Sequence, residues 1–291
     1  MFDYEAAFDR NIGWVTESEQ RRLRSCRVAI AGLGGVGGNH LLTLARLGIG
    51  AFSLADFDEF SIANFNRQAG ASMSTVGAPK LSVMASMARD IQPDMDLRMF
   101  PKGVTPENLD DFLEGVDLYV DSLDFFAFDT RRAVFAACER KGIPAITAAP
   151  LGMGVAFLAF MPGKMSFESY FQLEGHSHFE QGLRFLLGLA PARLHASDLV
   201  DPSRVRLDLQ QGPSTGMACM LCAGLAGTQA LKILLDRPGI PAAPRGWHFD
   251  AYRGRLAHTW LPGGNRNPVQ KLKIAIGRRQ LACMLPQQAM A

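Results

Sequence analysis

The sequence predicts an α/β fold, a Rossmann-like doubly wound and mostly parallel sheet with an irregular C-terminal half. Three observations predict it. β-rich runs alternate with helix-period stretches through residues 26–162, the pattern of repeated βαβ units. The first run ends in a cluster of glycines where a helix begins. The second ends on Asp56, 24 residues after Gly32.

Each element has a local reason. Thr16 and Glu19 have capping-box spacing and open a helix to about Leu23, within an N-terminal segment 1–25. Arg27–Gly32 reads as the first strand, Gly37–Leu47 as a helix and Ala51–Ala55 as the second strand. A helix over Lys80–Gln92 is stopped by Pro93, and a strand follows at Asp96–Phe100. Thr105-Pro106 suits the cap and first position of a short helix through Leu113. Leu118–Asp121 and Pro144–Thr147 read as strands around a helix near Thr130–Lys141. Val155–Phe160 is a further strand, and 163–213 shows few periodic elements and reads as an irregular substrate-side segment. Gly216–Leu235 reads as a buried helix and Trp247–Leu261 as a hairpin, which together close a domain spanning 1–262. Residues 263–291 form a basic tail.

Composition excludes several classes. There are 30 Lys+Arg against 28 Asp+Glu, a net +2 with no long run of one sign, so no nucleic-acid footprint stands out. The N-terminus is acidic and lacks an apolar core, unlike a secretory leader. Met217–Leu235 approaches the length of a membrane span, but Gln229, Lys232 and many small residues suit a buried helix. Five scattered cysteines are no disulfide framework. These features predict a cytoplasmic protein with no membrane partner.

The glycine turn reads Gly32-Leu33-Gly34-Gly35-Val36-Gly37-Gly38. Glycines let the chain turn sharply and let backbone amides approach a phosphate, and the following helix points its positive end there. Asp56 is placed to accept hydrogen bonds from a ribose. On these residues alone an NAD-dependent dehydrogenase fits equally well. The residues that follow do not suit hydride transfer: Asp58, then Asn64-Phe65-Asn66-Arg67-Gln68, then Lys80 after Val76-Gly77-Ala78-Pro79, then Asp121-Ser122-Leu123-Asp124. Attack of a carboxylate on the α-phosphate of ATP joins two anions and expels a third. Arg67 and Lys80 could neutralise the phosphates, and Asp124, read as the end of the fourth strand, could hold Mg²⁺.

In this order and spacing the set resembles the ThiF/MoeB/E1 family of adenylating enzymes, from residue 10 to about 160. The stretch from Gly212 to Leu234 resembles the family's later helix. The resemblance implies Gly32, Gly34, Gly35 and Gly37 around the phosphates and Asp56 on the ribose, with Asp58 beside it. It implies Asn64 and Arg67 near the phosphates, Gln68 near the reacting centre, Lys80 on phosphate and Asp124 on Mg²⁺. It further implies a homodimer in which Arg10 reaches the partner's site.

Departures from the family pattern matter too. Zinc-binding members use two CxxC pairs, whereas this chain has Cys219-x-x-Cys222 inside a buried helix. His176 and His178 do not complete an ordinary zinc spacing, which argues against structural zinc. Segment 163–213 holds no cysteine, and Cys26, Cys138 and Cys283 show no local activating partner, so adenylation without an enzyme thioester is expected. The run after Asp124, FFAFDTRR, is longer and more aromatic than the family's, leaving Arg131 or Arg132 for its arginine. The expected activity is ATP-dependent adenylation of a carboxylate, the C-terminus of a small ubiquitin-like or peptide partner. The alternatives are a tRNA threonylcarbamoyladenosine dehydratase-like enzyme, which alone would bring a nucleic-acid partner, and a non-catalytic scaffold.

Overall fold

The computed structural model describes residues 1–205 and 212–282. Two short helices come first, α1 (Tyr4–Phe8) and α2 (Glu17–Ser25). α2 starts as its sequence dictates: the Thr16 hydroxyl accepts from the Glu19 amide, and the Glu19 carboxylate accepts from the Thr16 amide at 2.8 Å. α1 is too short to show a period in sequence. It is fixed by contact, with the Tyr4 hydroxyl donating to the Gly48 carbonyl at 2.6 Å.

The alternating core then follows. β1 (Arg27–Ala31), α3 (Gly37–Arg46), β2 (Ala51–Ala55), α4 (Lys80–Ile91) and β3 (Asp96–Phe100) lie where the pattern predicts. α5 (Leu109–Phe112), β4 (Leu118–Asp121), α6 (Phe128–Lys141), β5 (Ala145–Leu151) and β6 (Gly154–Phe160) continue it. The C-terminal half holds α7 (Phe167–Phe171), α8 (His178–Leu189), α9 (Gly216–Leu234), β7 (Arg245–Asp250), β8 (Arg255–Trp260) and α10 (Pro268–Ala282).

The strands form one sheet in the order β3-β2-β1-β4-β5-β6-β7-β8. It is parallel from β3 through β5 and antiparallel from β5 to β8. Strand periodicity divides the core. Val28, Ile30, Leu118 and Val120 face a layer containing α2, α3, α4 and α9, while Ala29, Ala31, Tyr119 and Ala145 face α5, α6, α7 and α8. α9 is long and apolar enough to cross a membrane, yet here it packs on β5, β6 and α3. Strand order reverses between β1 and β4, so their carboxyl ends open the crevice where doubly wound sheets hold ligands.

Four stretches depart from expectation. The helix expected from Thr105-Pro106 begins only at Leu109, because the Asn108 side chain accepts from the Thr105 amide at 2.8 Å and donates to Gly103 at 2.9 Å, closing a turn. β5 runs on to Leu151, carried by its antiparallel pairing with β6. Segment 163–213 contains α7 and α8, and the tail contains α10. α8 and α10 bury Leu183, Leu187 and Ile274 against one another, and Arg278 donates to Glu180 at 2.8 and 3.0 Å. α8 also buries Phe185 and Leu189 in the main core.

Candidate functional site

The glycine turn divides into two pairs with different duties. Gly32 sits at φ +86°, and a methyl there would run into the Ser122 carbonyl at the end of β4. A methyl on Gly37 would strike the Gly32 carbonyl. These two glycines serve the close approach of chain to chain. A Cβ on Gly34 would instead lie 3.5 Å from the Gln68 amide nitrogen, and one on Gly35 would lie 3.2 Å from Cys219 Sγ and 3.6 Å from the Arg67 side chain. The amides of Gly34, Gly35 and Val36 make no hydrogen bond among the described residues. With the amino end of α3 behind them, they form a cradle suited to an anion.

Asp56 ties this turn to the end of β2. Its Oδ2 accepts from the Leu33 amide at 2.6 Å and its Oδ1 from the Asp58 amide at 2.8 Å. Burial raises its carboxyl above the usual range, and the two amides oppose that rise. Each oxygen keeps a second lone pair for a further donor. Asp58 is half exposed and pairs with the buried Lys80 at 2.9 Å, while the Lys80 amide donates to the Asp58 carbonyl at 2.9 Å. Lys80 thus enters the site from the first residue of α4, already held by Asp58.

Asn64, Arg67 and Gln68 come from a 3-10 turn (Ile62–Asn64) and the residues after it. Asn64 Oδ1 accepts from the Ser61 amide at 3.0 Å. Arg67 donates to the Ala63 carbonyl at 3.0 Å and to Asn66 Oδ1 at 2.9 Å, with no carboxylate paired to it among the described residues. Asn66 in turn donates to the Ser214 carbonyl at 2.9 Å, fastening this loop to the start of α9. Gln68 is buried and its Oε1 has no partner among the described residues. The free backbone donors and a guanidinium without a carboxylate partner fit an anion, and the orphaned Gln68 oxygen calls for a donor from the same ligand.

The loop after β4 corrects one expectation. The strand ends at Asp121, and Asp124 lies three residues further on, exposed, with Oδ1 accepting from the Phe126 amide at 3.0 Å. Asp124 Oδ2 makes no hydrogen bond among the described residues. The strand-end Asp121 is instead buried and paired with Arg131 at 2.9 Å, both side chains 2% exposed. Arg131 also donates to the carbonyls of Leu123, Asp124 and Phe125, and Arg132 pairs with Glu168 and Glu174. Arg131 is thereby committed to fixing the chain, and Arg132 is held by two carboxylates through Nε and Nη2. The Asp121–Arg131 pair was visible in sequence only as an aspartate ending a strand and an arginine early in the next helix.

Arg10 is exposed in a 3-10 turn (Asp9–Asn11). Asn11 beside it donates to Leu47, at the end of α3 remote from the glycine turn. Ten residues of helix span about 15 Å, so Arg10 does not approach its own turn. Cys219 and His178 lie apart, the first against Gly35 and the second beside Phe126. No group of three or more His, Cys, Asp or Glu is arranged to hold a metal among the described residues. Cys26, Cys138, Cys219 and Cys222 are buried, and burial pushes the Cys26 thiol up to about 11 and Cys138 to about 12. Cys283 lies outside the described residues.

Comparison with known proteins gives the family. The model of the ThiF family matches residues 8–270. A tRNA threonylcarbamoyladenosine dehydratase of Haemophilus influenzae is 34% identical over 146 residues, 50% of this chain and 55% of that protein. The sulfur carrier protein ThiS adenylyltransferase of Escherichia coli is 33% identical over 143 residues, 49% of this chain and 56% of that protein. The chain thus spans about half the length of the curated relatives it matches. Among solved structures, E. coli MccB with ATP superposes with a TM-score of 0.61 at 20% identity, covering 83% of this chain and 65% of the other. At that identity the likeness concerns the fold.

Proposed function

The chain belongs to the ThiF family, and on that footing we propose that it binds ATP over the glycine turn and transfers AMP to a carboxylate. The observation that carries this reading is the cradle of free amides at Gly34–Val36, flanked by Arg67 and by the orphaned acceptor of Gln68. In the reaction a carboxylate oxygen attacks the α-phosphorus. The bond from that phosphorus to the bridging oxygen breaks, and pyrophosphate leaves with the electron pair. No proton need move.

Each residue has a share. The amides and Arg67 neutralise phosphate oxygens, and Asn64 offers them its Nδ2, which makes no hydrogen bond among the described residues. Lys80 has three donors, so it can hold a phosphate while keeping Asp58. Asp56 accepts from the ribose on its remaining lone pairs. The exposed Asp124 carboxylate suits Mg²⁺, which takes one or two carboxylates together with substrate phosphates, and the ion would supply charge neutralisation on the triphosphate. Arg10 acts in trans across a homodimer, since it lies at the far end of α3 from its own turn. A cytoplasmic site would supply the ATP.

For the carboxylate we propose the C-terminus of a small ubiquitin-like or peptide partner. A second reading, activation of a modified adenosine of tRNA, is favoured by relatives bearing the dehydratase name. Mass spectrometry separates the two. The full chain is incubated with ATP and either candidate peptides or tRNA, and an AMP adduct on the peptide or dehydration of the tRNA base identifies the substrate. No modification in any arm, with ATP bound, would favour a scaffold.

A further inference from the structure

The loop that carries Asp124 is held in an unusual way. Four consecutive carbonyls, Leu123 to Phe126, are each taken by a side chain. Arg131 takes three: Nη2 donates to Leu123 at 2.8 Å and Asp124 at 2.9 Å, and Nη1 to Phe125 at 3.1 Å. His178, the first residue of α8, takes the fourth at 3.1 Å through Nε2, which must carry the proton because a carbonyl only accepts. The His178 ring also stacks on Phe126 at 5.9 Å, and the Arg131 guanidinium lies 4.7 Å over the Phe185 ring of α8.

These contacts join the loop to the glycine turn at one end and to α6 and α8 at the other. At one end the Ser122 amide donates to Ala31 and its carbonyl abuts Gly32. At the other, α6 and α8 grip the backbone around Asp124 itself. Arg131 is 2% exposed and anchored by Asp121, so the fork that fixes three carbonyls is itself fixed. The aspartate is exposed on a loop whose path the arginine and histidine determine.

Building on the reading of Asp124 as the Mg²⁺ ligand, we infer that Arg131 and His178 are positioning residues that place its carboxylate for the metal. Arg131 acts from α6, and His178 acts from the substrate-side segment. The additional aromatic residues after Asp124 then have a purpose: Phe125, Phe126 and Phe128 pack with Phe185 and His178, locking the loop to α8. Any movement of α8 would be felt at Asp124 through His178.

The test measures metal binding directly. Mn²⁺ titration followed by electron paramagnetic resonance is made on the full chain with an ATP analogue bridged by methylene between its α- and β-phosphates. Arg131→Lys keeps the charge beside Asp121 but cannot fork three carbonyls, and His178→Ala removes the fourth contact without touching the buried pair. Each should raise the Mn²⁺ concentration for half-saturation by about 10-fold or more, as loss of supporting contacts does at metal sites. Analogue binding without metal should stay near wild type. A merely structural role would lower the number of sites rather than their affinity. If Arg131→Lys fails to fold, His178→Ala still decides. Mn²⁺ affinity within twofold of wild type in the folded variants, with Asp124→Ala weakened, would overturn the positioning role alone. Unchanged affinity in Asp124→Ala would overturn the metal-ligand reading and the positioning role with it.

Discussion

Alanine at Gly32 and at Gly34, one at a time, separates what the turn does for the fold from what it does for a ligand. At Gly32 the backbone stands at φ +86°, where an L-residue loses about 1–2 kcal/mol. The added methyl would also run into the Ser122 carbonyl, and the backbone shift this forces costs about 1–3 kcal/mol more, as overpacking does. The sum, about 2–5 kcal/mol, is a large part of the stability of an ordinary domain. At Gly34 the methyl meets the Gln68 side chain at 3.5 Å, an ordinary contact, and φ is not left-handed. Fold stability should therefore change by no more than ~0.5 kcal/mol. That methyl nevertheless stands between the free amides and Gln68. Losing one charge-assisted hydrogen bond of about 1.5–3 kcal/mol would weaken ATP binding by roughly 10–100-fold. Urea denaturation measures the first quantity and titration calorimetry with ATP the second. A Gly34→Ala protein that binds ATP like wild type, or a Gly32→Ala protein of wild-type stability, would refute the division.

Two further outcomes are expected. Arg10→Ala and Asp124→Ala should each be nearly inactive alone yet recover roughly a quarter of wild-type activity when mixed, since random exchange makes half the dimers heterologous with one good site of two. No recovery after verified exchange would mean Arg10 does not act in trans. His40 and His248 are buried without hydrogen-bond partners among the described residues, and burial pulls them down to about 3 and about 4. Both are neutral at pH 7. Below about pH 6.5 the unfolded chain takes up protons that the folded one refuses, so stability should fall towards pH 4 by up to ~1.4 kcal/mol per unit for each histidine. His40→Leu should lessen that slope in urea denaturation, and an unchanged slope would contradict the account.

The parallel half of the fold was legible because its signals are local. The apolar run at Arg27–Ala31, the glycines after it and Asp56 each state their geometry without help from distant residues. α8 and α10 were not legible, since α8 divides its apolar residues between the main core and α10, while Val269, Leu272 and Ile276 of α10 stay exposed, blurring its period. In the site, Asp56 holds the Leu33 amide of the glycine turn, Gln68 lies beside Gly34, and Lys80 pairs with Asp58 beyond the end of β2. The choice between Arg131 and Arg132 for the family's arginine stayed open in sequence, because the environment of Arg131 is set by Asp121 and Phe185, residues 10 and 54 positions away along the chain. The pairing of Lys80 with Asp58 was equally invisible, as both were read separately as ligands of the nucleotide.

The central claim is that this crevice activates a carboxylate with ATP, and exchange of labelled pyrophosphate into ATP tests it most directly because adenylation is reversible. With Mg²⁺ and the matching carboxylate, the wild-type chain should catalyse exchange. Arg67→Ala or Lys80→Ala should lose about 2–4 kcal/mol of transition-state stabilisation, and Asp124→Ala should be almost inert. Full exchange in the Asp124→Ala protein would contradict the account.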